Sequence, residues 1–418
     1  MWAAAALLLS LAGPLALQSQ PPVDVIADIQ VHGNVVTPDE EIRQLADVQI
    51  GQAFTPETIE RTAARLRAAK RFHRADVLKR FASIADPSQI VLVIIVDEGP
   101  VRIETTGDPT RPARVVRKRG PNLLVLPVLT YEDGYGATYG VRFTAPNAVG
   151  TSSRVSFPVT WGGEKRAAAE LTKDLSAGPF SRVEAGTSIS RRTHPFYDQD
   201  DNRGRVWLRA TRDLRPSLHV AARTEWQHVS FRGIDDSFLE AGADVIFDTR
   251  LDPMLARNAV YLRSAWNHIA FGNRGMIERS TVEGAGYLGL IGQTVLVIRA
   301  QRYGANTPLP PYLQPMLGGV DNLRGFKAGT AVGDTLVAGS AELRVPLTSP
   351  LKLGKVGVSA FVDVGAVYQH PSRLSGQAMM KGVGGSVWFS VAVLRFSVAV
   401  ARGIGASTRV HFGGTLSL

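Results

Sequence analysis

From residue 122 to the C-terminus the chain repeats one pattern of hydrophobicity. Segments of about ten residues alternate apolar and polar side chains, with Gly, Asp, Asn and Pro between them. Alternation of this kind places successive side chains on opposite faces of an extended strand. Segment centres lie near Val125, Tyr139, Phe157, Ala169, Gly186, Leu208, Thr224, Ala243, Leu262, Glu283, Ile298, Ser340, Phe361, Val387, Val398 and Phe412, about sixteen strands over roughly 300 residues. Such a length leaves short turns on one rim of a closed sheet and longer loops on the other. In residues 356–366, Val356, Val358, Ala360, Val362, Val364 and Ala366 share one face, and Gly357, Ser359, Phe361, Asp363 and Gly365 share the other. Residues 394–402 and 409–418 divide in the same way. In a soluble sandwich the apolar face would meet a core. In a membrane barrel it meets lipid, and the polar face lines the lumen. The local pattern fits both. An even strand number and the lack of any evident helix here favour a membrane all-β fold, a transmembrane β-barrel of about 16 strands over residues 121–418.

The first hundred residues read differently. Residues 25–31 alternate and end at His32-Gly33-Asn34, a strand and a turn. Thr37 is placed to cap a helix that Pro38, Asp39, Glu40 and Glu41 begin. Thr55-Pro56-Glu57 repeats that signal, and Ile59, Ala63, Leu66 and Ala69 recur at helical spacing. Two strands follow, Ala75 to Phe81 and Ile90 to Val96; the second is apolar throughout, as a central or well-covered strand is. This βααββ order predicts a small α/β domain over residues 22–105, with a linker at 106–120. Trp2 to Leu17 is apolar and is followed by polar Gln18-Ser19-Gln20, which reads as a secretory signal peptide within residues 1–20. Beyond it no apolar run approaches the ~20 residues of a membrane helix, so a membrane role must use strands.

Composition changes the picture in a few places. The chain has no cysteine, which excludes a disulfide framework and a thiolate metal site. The net charge of +10 is unevenly shared: residues 22–105 carry 10 Lys and Arg against 13 Asp and Glu, a net of −3. The excess therefore belongs to the barrel and its linker, where it can attract anionic headgroups or acidic chains. The basic residues are scattered singly on alternating strands and form no helix face or RNA-binding motif, which argues against nucleic acid. Arg111, Arg114, Arg117, Lys118 and Arg119 cluster in the linker, either against headgroups or in water. No Gly-x-Ser-x-Gly, His-Glu-x-x-His, P-loop or dinucleotide fingerprint is present, so neither catalysis nor a cofactor is expected. His268 and His411 fall on strand faces without metal-ligand spacing. Asp198, Asp200 and Asp201, and the pair Asp235-Asp236, read as acids of solvated loops rather than a Ca²⁺ site.

One segment stands apart. Between the strands at 296–302 and 335–345 lie more than thirty residues that include Pro308, Pro310, Pro311 and Pro315. Loops this long are usually functional or disordered. The tip reads Leu323-Arg324-Gly325-Phe326, after Gly318-Gly319. Further on, Phe361-Val362-Asp363-Val364-Gly365 puts the Asp363 carboxylate on a polar face. A guanidinium withdrawn from water needs a carboxylate, and a bidentate pair fixes geometry as well as charge. Arg324 either folds inward to such a partner or reaches solvent at the rim.

With these motifs the chain resembles the BamA/TamA-type outer-membrane assembly-factor superfamily, which includes two-partner secretion translocators. Ile29-Gln30-Val31-His32-Gly33-Asn34, Phe72 and Val96-Asp97-Glu98-Gly99-Pro100 are similar to a POTRA domain. The resemblance implies that the Leu323-Arg324-Gly325-Phe326 tip folds into the lumen. It implies that Arg324 is held by Asp363, on the strand motif Phe361, Asp363, Gly365, with Glu342 as a second acid. Asp248-Thr249-Arg250-Leu251-Asp252-Pro253 resembles the family's D-T-R-x-x-P turn. The implied location is the bacterial outer membrane, with the POTRA domain in the periplasm. The implied partners are outer-membrane lipid, unfolded or extended periplasmic client proteins, and accessory assembly proteins. The expected function is assistance in protein insertion into the outer membrane. The alternative is a pore that secretes a dedicated partner or moves lipid. An open edge of the POTRA sheet could receive a client as an added strand, or the module could be a spacer. The chain departs from the pattern in having room for one POTRA domain and in a last strand that lacks a terminal aromatic residue. Gly403, Gly405, Gly413 and Gly414 weaken the last two strands, which suits either lateral opening between first and last strands or plain barrel curvature.

Overall fold

The computed structural model describes residues 24–416 apart from 35, 70, 73, 83–85, 99–100, 105–113, 118–122, 252–254, 273–274, 349–353 and 392–393. The expected signal peptide at 1–20 and most of the linker at 106–120 lie outside the described residues.

The N-terminal module comprises β1 (Val25–His32), α1 (Asp39–Ala46), α2 (Pro56–Ala68), β2 (Arg74–Phe81) and β3 (Gln89–Asp97). β3 is central, parallel to β1 and antiparallel to β2. That position explains its unbroken apolar run: both faces and both edges are covered. Ile90, Leu92 and Ile94 pack with Ile26, Ile42 and Leu66, all completely buried. Thr55 caps α2 as its sequence suggests, and its N–H donates to Thr58 Oγ1 at 3.2 Å. α1 begins later than expected: Pro38, not Thr37, occupies the cap position. The cause is Glu98, 2 % exposed, whose carboxylate accepts the Val36 and Thr37 N–H groups at 2.6 and 2.9 Å. Those two bonds hold the preceding backbone off the helix. Within the expected linker, β5 (Arg114–Arg117) pairs antiparallel with β4 (Val101–Glu104).

Sixteen antiparallel strands then close a barrel. The first eight are β6 (Leu124–Glu132), β7 (Gly136–Pro146), β8 (Ser153–Gly162), β9 (Lys165–Asp174), β10 (Arg182–His194), β11 (Gln199–Arg215), β12 (Leu218–Phe231) and β13 (Ile234–Asp248). β14 (Ala259–Phe271), β15 (Gly275–Gly289) and β16 (Val295–Ala305) follow. A long loop holds the two-residue strands β17 (Met316–Leu317) and β18 (Ala331–Val332), which pair with each other. β19 (Thr335–Thr348), β20 (Gly354–Tyr368), β21 (Met380–Val391), β22 (Leu394–Gly403) and β23 (Thr408–Leu416) complete the wall, and β23 returns to β6.

The faces are inverted relative to a soluble protein. On β20 Asp363 is 1 % exposed and its neighbour Val362 is 55 % exposed. Trp161, Trp226, Trp266, Ile298 and Val387 likewise face outward, while Glu240 and Asp244 are buried inside. Apolar side chains outward and charged side chains inward suit a wall bathed in lipid. Among the described residues no helix is long and apolar enough to cross a membrane.

Loop lengths differ from expectation. On the rim away from the N-terminal module, only 306–334 and 369–379 are long; every other turn there spans four residues or fewer. The residues expected in loops went into the wall. β10 to β15 run to 13, 17, 14, 15, 13 and 15 residues, against the ~9–11 that cross a bilayer. For the same reason four of the five acids expected in loops lie on strands, and Asp198 stays in the β10–β11 turn. Asp200 and Asp201, on β11, pair with Arg191 and Arg203, and Asp236 is on β13.

Candidate functional site

The long loop leaves β16 at the far rim and turns inward, held first by its own start. Asp334, 1 % exposed, accepts the Leu309 N–H at 2.7 Å and the His370 N–H at 2.8 Å. Tyr312 enters an apolar cluster with Phe238, Phe271 and Ile269, and its hydroxyl donates to Asp236 at 2.5 Å. Arg203 donates to the Tyr312 carbonyl at 2.6 Å. This anchor was not legible in the sequence, because its wall residues come from three separate strands.

The tip lies deeper. Arg324, 6 % exposed, sits against the inner faces of β19 and β20. Its Nε and Nη2 donate to the two oxygens of Asp363, each at 2.7 Å, and its backbone N–H donates to Asp363 Oδ2 at 2.9 Å. Nη1 donates to Glu342 at 3.0 Å, and Nη2 also to Ser340 at 3.1 Å. The guanidinium carbon stands 3.3 Å from the centre of the Phe361 ring, a cation–π arrangement. The strand register explains the convergence: Ser340 faces Asp363, and Glu342 faces Phe361. Period-two alternation then sends all four side chains inward. Glu342 is shared, accepting from Arg344 at 2.8 Å and lying 3.6 Å from Arg299.

Leu323 is completely buried with Leu317, Leu336 and Phe326. Gly325 has a φ of +93°, a left-handed conformation that costs glycine little. The wall opposite is pared down to receive the tip. A Cβ on Gly403 would meet the Phe326 ring at 2.5 Å, and one on Gly382 would overlap the Arg324 carbonyl. Gly403 thus has a use beyond weakening a strand or bending the barrel. Gly365 abuts Leu317 in the same way.

Sequence reasoning passed over His411. It is on β23, 3 % exposed, and accepts the Gly325 N–H through Nε2 at 2.9 Å. Its Nδ1 bonds Asp133 in the β6–β7 turn at 2.6 Å. The only trace in the sequence is a histidine on the polar side of an alternating strand; Asp133 is 278 residues away. In the D-T-R turn, Arg250 grips Asp248 through Nε and Nη2 at 2.9 and 2.8 Å and stacks on Tyr261; Asp252 and Pro253 lie outside the described residues. A cavity of about 330 Å³ opens beside the tip, lined by Arg250, Glu283, Arg299, Asp321 and Arg324 among others. Its lining carries guanidinium and carboxylate groups together, suited to holding a charged loop or polar chain.

The closure of the barrel is its thinnest junction among the described residues. Among the described residues β23 meets β6 in three pairs, Gly414–Tyr131, Thr415–Thr130 and Leu416–Leu129. The flanking β22–β23 and β6–β7 ladders have nine each.

Comparison with known proteins places this geometry. The chain matches the Omp85 superfamily domain over residues 128–414 and the POTRA surface antigen variable number repeat over residues 25–99. No curated protein sequence matches it. Among solved structures it is similar to BamA from Haemophilus ducreyi lacking POTRA domains 1–3, with TM-score 0.62 and 12 % identity over 94 % of this chain and 84 % of that one. It is also similar to CdiB from Escherichia coli, with TM-score 0.52 and 13 % identity over 98 % of this chain and 93 % of that one.

Proposed function

Because the chain belongs to the Omp85 superfamily, as an outer-membrane β-barrel with its POTRA domain in the periplasm, we propose that it assists the insertion of other proteins into the outer membrane. The observation that carries this reading is the seam between β23 and β6, which has three pairs among the described residues. A ladder so short leaves strand edges that can part and template a new strand. Among the described residues the wall is also lowest here: β6 and β23 have 9 residues each, against 17 in β11 on the far side. A short hydrophobic span thins the adjoining bilayer and lowers the cost of inserting a strand beside it. The POTRA module would deliver clients, since β2 forms a sheet edge to which an extended segment can add. The Arg324 tip, braced by Asp363 and Glu342, would keep the lumen closed meanwhile.

The test is a reversible lock. Tyr131→Cys with Gly414→Cys places two thiols on facing residues of a chain with no native cysteine. In liposomes, the reduced protein should speed the folding of an unfolded barrel client, and the oxidised protein should not. Equal acceleration by both forms would refute insertion at the seam.

A second reading, export of a dedicated extended partner through the lumen, draws on the charged cavity beside the loop. It requires the loop to leave, and predicts that a locked seam leaves export intact.

A further inference from the structure

The lumen loop touches both lips of the seam. On the last-strand side, Phe326 packs over Gly403, and the Gly325 N–H donates to His411 at 2.9 Å. On the first-strand side the β6–β7 turn lies against the loop: Gly134 abuts Ala328, and a Cβ on Gly319 would stand 3.2 Å from Asp133 Oδ2. One side chain hydrogen-bonds to both halves. His411 reaches from β23 to Asp133 through Nδ1 at 2.6 Å, while its Nε2 serves the loop. With Nε2 accepting, Nδ1 carries the proton and donates to the carboxylate. This bond lies beyond Gly414–Tyr131, the last described strand pair on that side, where no described backbone ladder joins the lips.

We propose that His411 is a positioning residue that ties the lumen loop to the seam. With the loop seated, the imidazole holds β23 against the β6–β7 turn, so loop withdrawal and seam opening are one linked event. Linkage is reciprocal: a seated loop favours a closed seam by the same factor that a closed seam favours a seated loop. The proposal rests on the seam being the site of client entry, but its test requires no client.

Two reporters in separate chains read the two ends. The seam reporter is disulfide yield between Tyr131→Cys and Gly414→Cys. The loop reporter is the alkylation rate of Ala328→Cys. His411→Phe keeps a ring and loses both hydrogen bonds; disulfide yield should fall and alkylation should rise, each by about tenfold, the scale of one hydrogen bond to a charged group. His411→Gln can accept from Gly325 and donate to Asp133, and should restore both readings. A packing role predicts the opposite order, with Phe better tolerated than Gln. Asp133→Ala should repeat the effect of His411→Phe, and carries the test if heat-modifiable gel mobility shows that His411→Phe does not fold. The proposal is overturned if both variants match the parent in both reporters, or if one reporter moves and the other does not. Joint movement with unchanged client insertion would sustain the tie and sink the insertion reading.

Discussion

Replacing Asp363 by alanine removes the main partner of the loop tip without touching the loop. Asp363 accepts three hydrogen bonds from Arg324, at 2.7, 2.7 and 2.9 Å. Each is charge-assisted and worth ~1.5–3 kcal/mol alone, but three bonds on one carboxylate do not add independently. Glu342 and Ser340 stay within reach at 3.0 and 3.1 Å, and the cavity beside Arg324 admits water to the freed guanidinium. The loss should therefore fall near the lower end of the ~3–5 kcal/mol typical of breaking a buried ion pair. A loss of ~3 kcal/mol is roughly a hundredfold in the ratio of withdrawn to seated loop. Ala328, within the loop and 7 % exposed while it is seated, supplies the readout. With Ala328→Cys as the only thiol, alkylation proceeds through the withdrawn state, and Asp363→Ala should raise its rate by about that hundredfold factor. Planar-bilayer recordings should show the matching rise in open-channel events. A rate indistinguishable from the parent, in a protein whose heat-modifiable mobility shows an intact barrel, would refute the claim that this pair seats the loop.

Three further outcomes are expected. Glu342→Gln should also unseat the loop and lower the temperature at which the barrel loses its folded gel mobility, since Glu342 serves Arg299, Arg324 and Arg344 together; its combination with Asp363→Ala should be less than additive because both act through Arg324. Gly403→Val should drive a side chain into the Phe326 ring at a cost of ~1–3 kcal/mol, raising Ala328→Cys alkylation while outward labelling of the barrel is unchanged. Glu98→Ala should leave the Val36 and Thr37 N–H groups without their acceptor, costing ~1–3 kcal/mol, and should hasten proteolysis of the POTRA module in the full membrane-embedded chain but not of the barrel.

The barrel was legible in the sequence because lipid outside and charge inside impose period two on every strand; each of the sixteen expected centres, from Val125 to Phe412, falls within a separate strand. The module was legible because capping and helical spacing are local signals. What failed was non-local. Thr37 looked like a cap until Glu98, 61 residues on, took its N–H. Asp200, Asp201 and Asp236 looked like loop acids because sequence cannot tell how far a wall rises above the membrane. Arg324, Asp363 and Glu342 were named through family likeness, and the charge of a guanidinium dictated only that some carboxylate be near. His411 carried no such signal: its partners Gly325 and Asp133 lie on a loop and a turn that only barrel closure brings together.

The chemistry of the clamp bears on what the loop is for. A buried ion pair adds little net stability over apolar side chains of similar volume, because each charge must first leave water. An apolar plug would therefore seat the loop as well as Arg324 does. It would also be reluctant to leave, since its exposed form would present apolar surface to a wet lumen. A guanidinium that exchanges Asp363 and Glu342 for water recovers its solvation when it withdraws. The two carboxylates recover theirs as well, and Glu342 retains Arg299 and Arg344 nearby. Geometric specificity when seated, with tolerable solvation when free, is what a loop requires if it occupies the lumen at one moment and vacates it at another. The polar clamp thus favours a loop that moves over a permanent stopper.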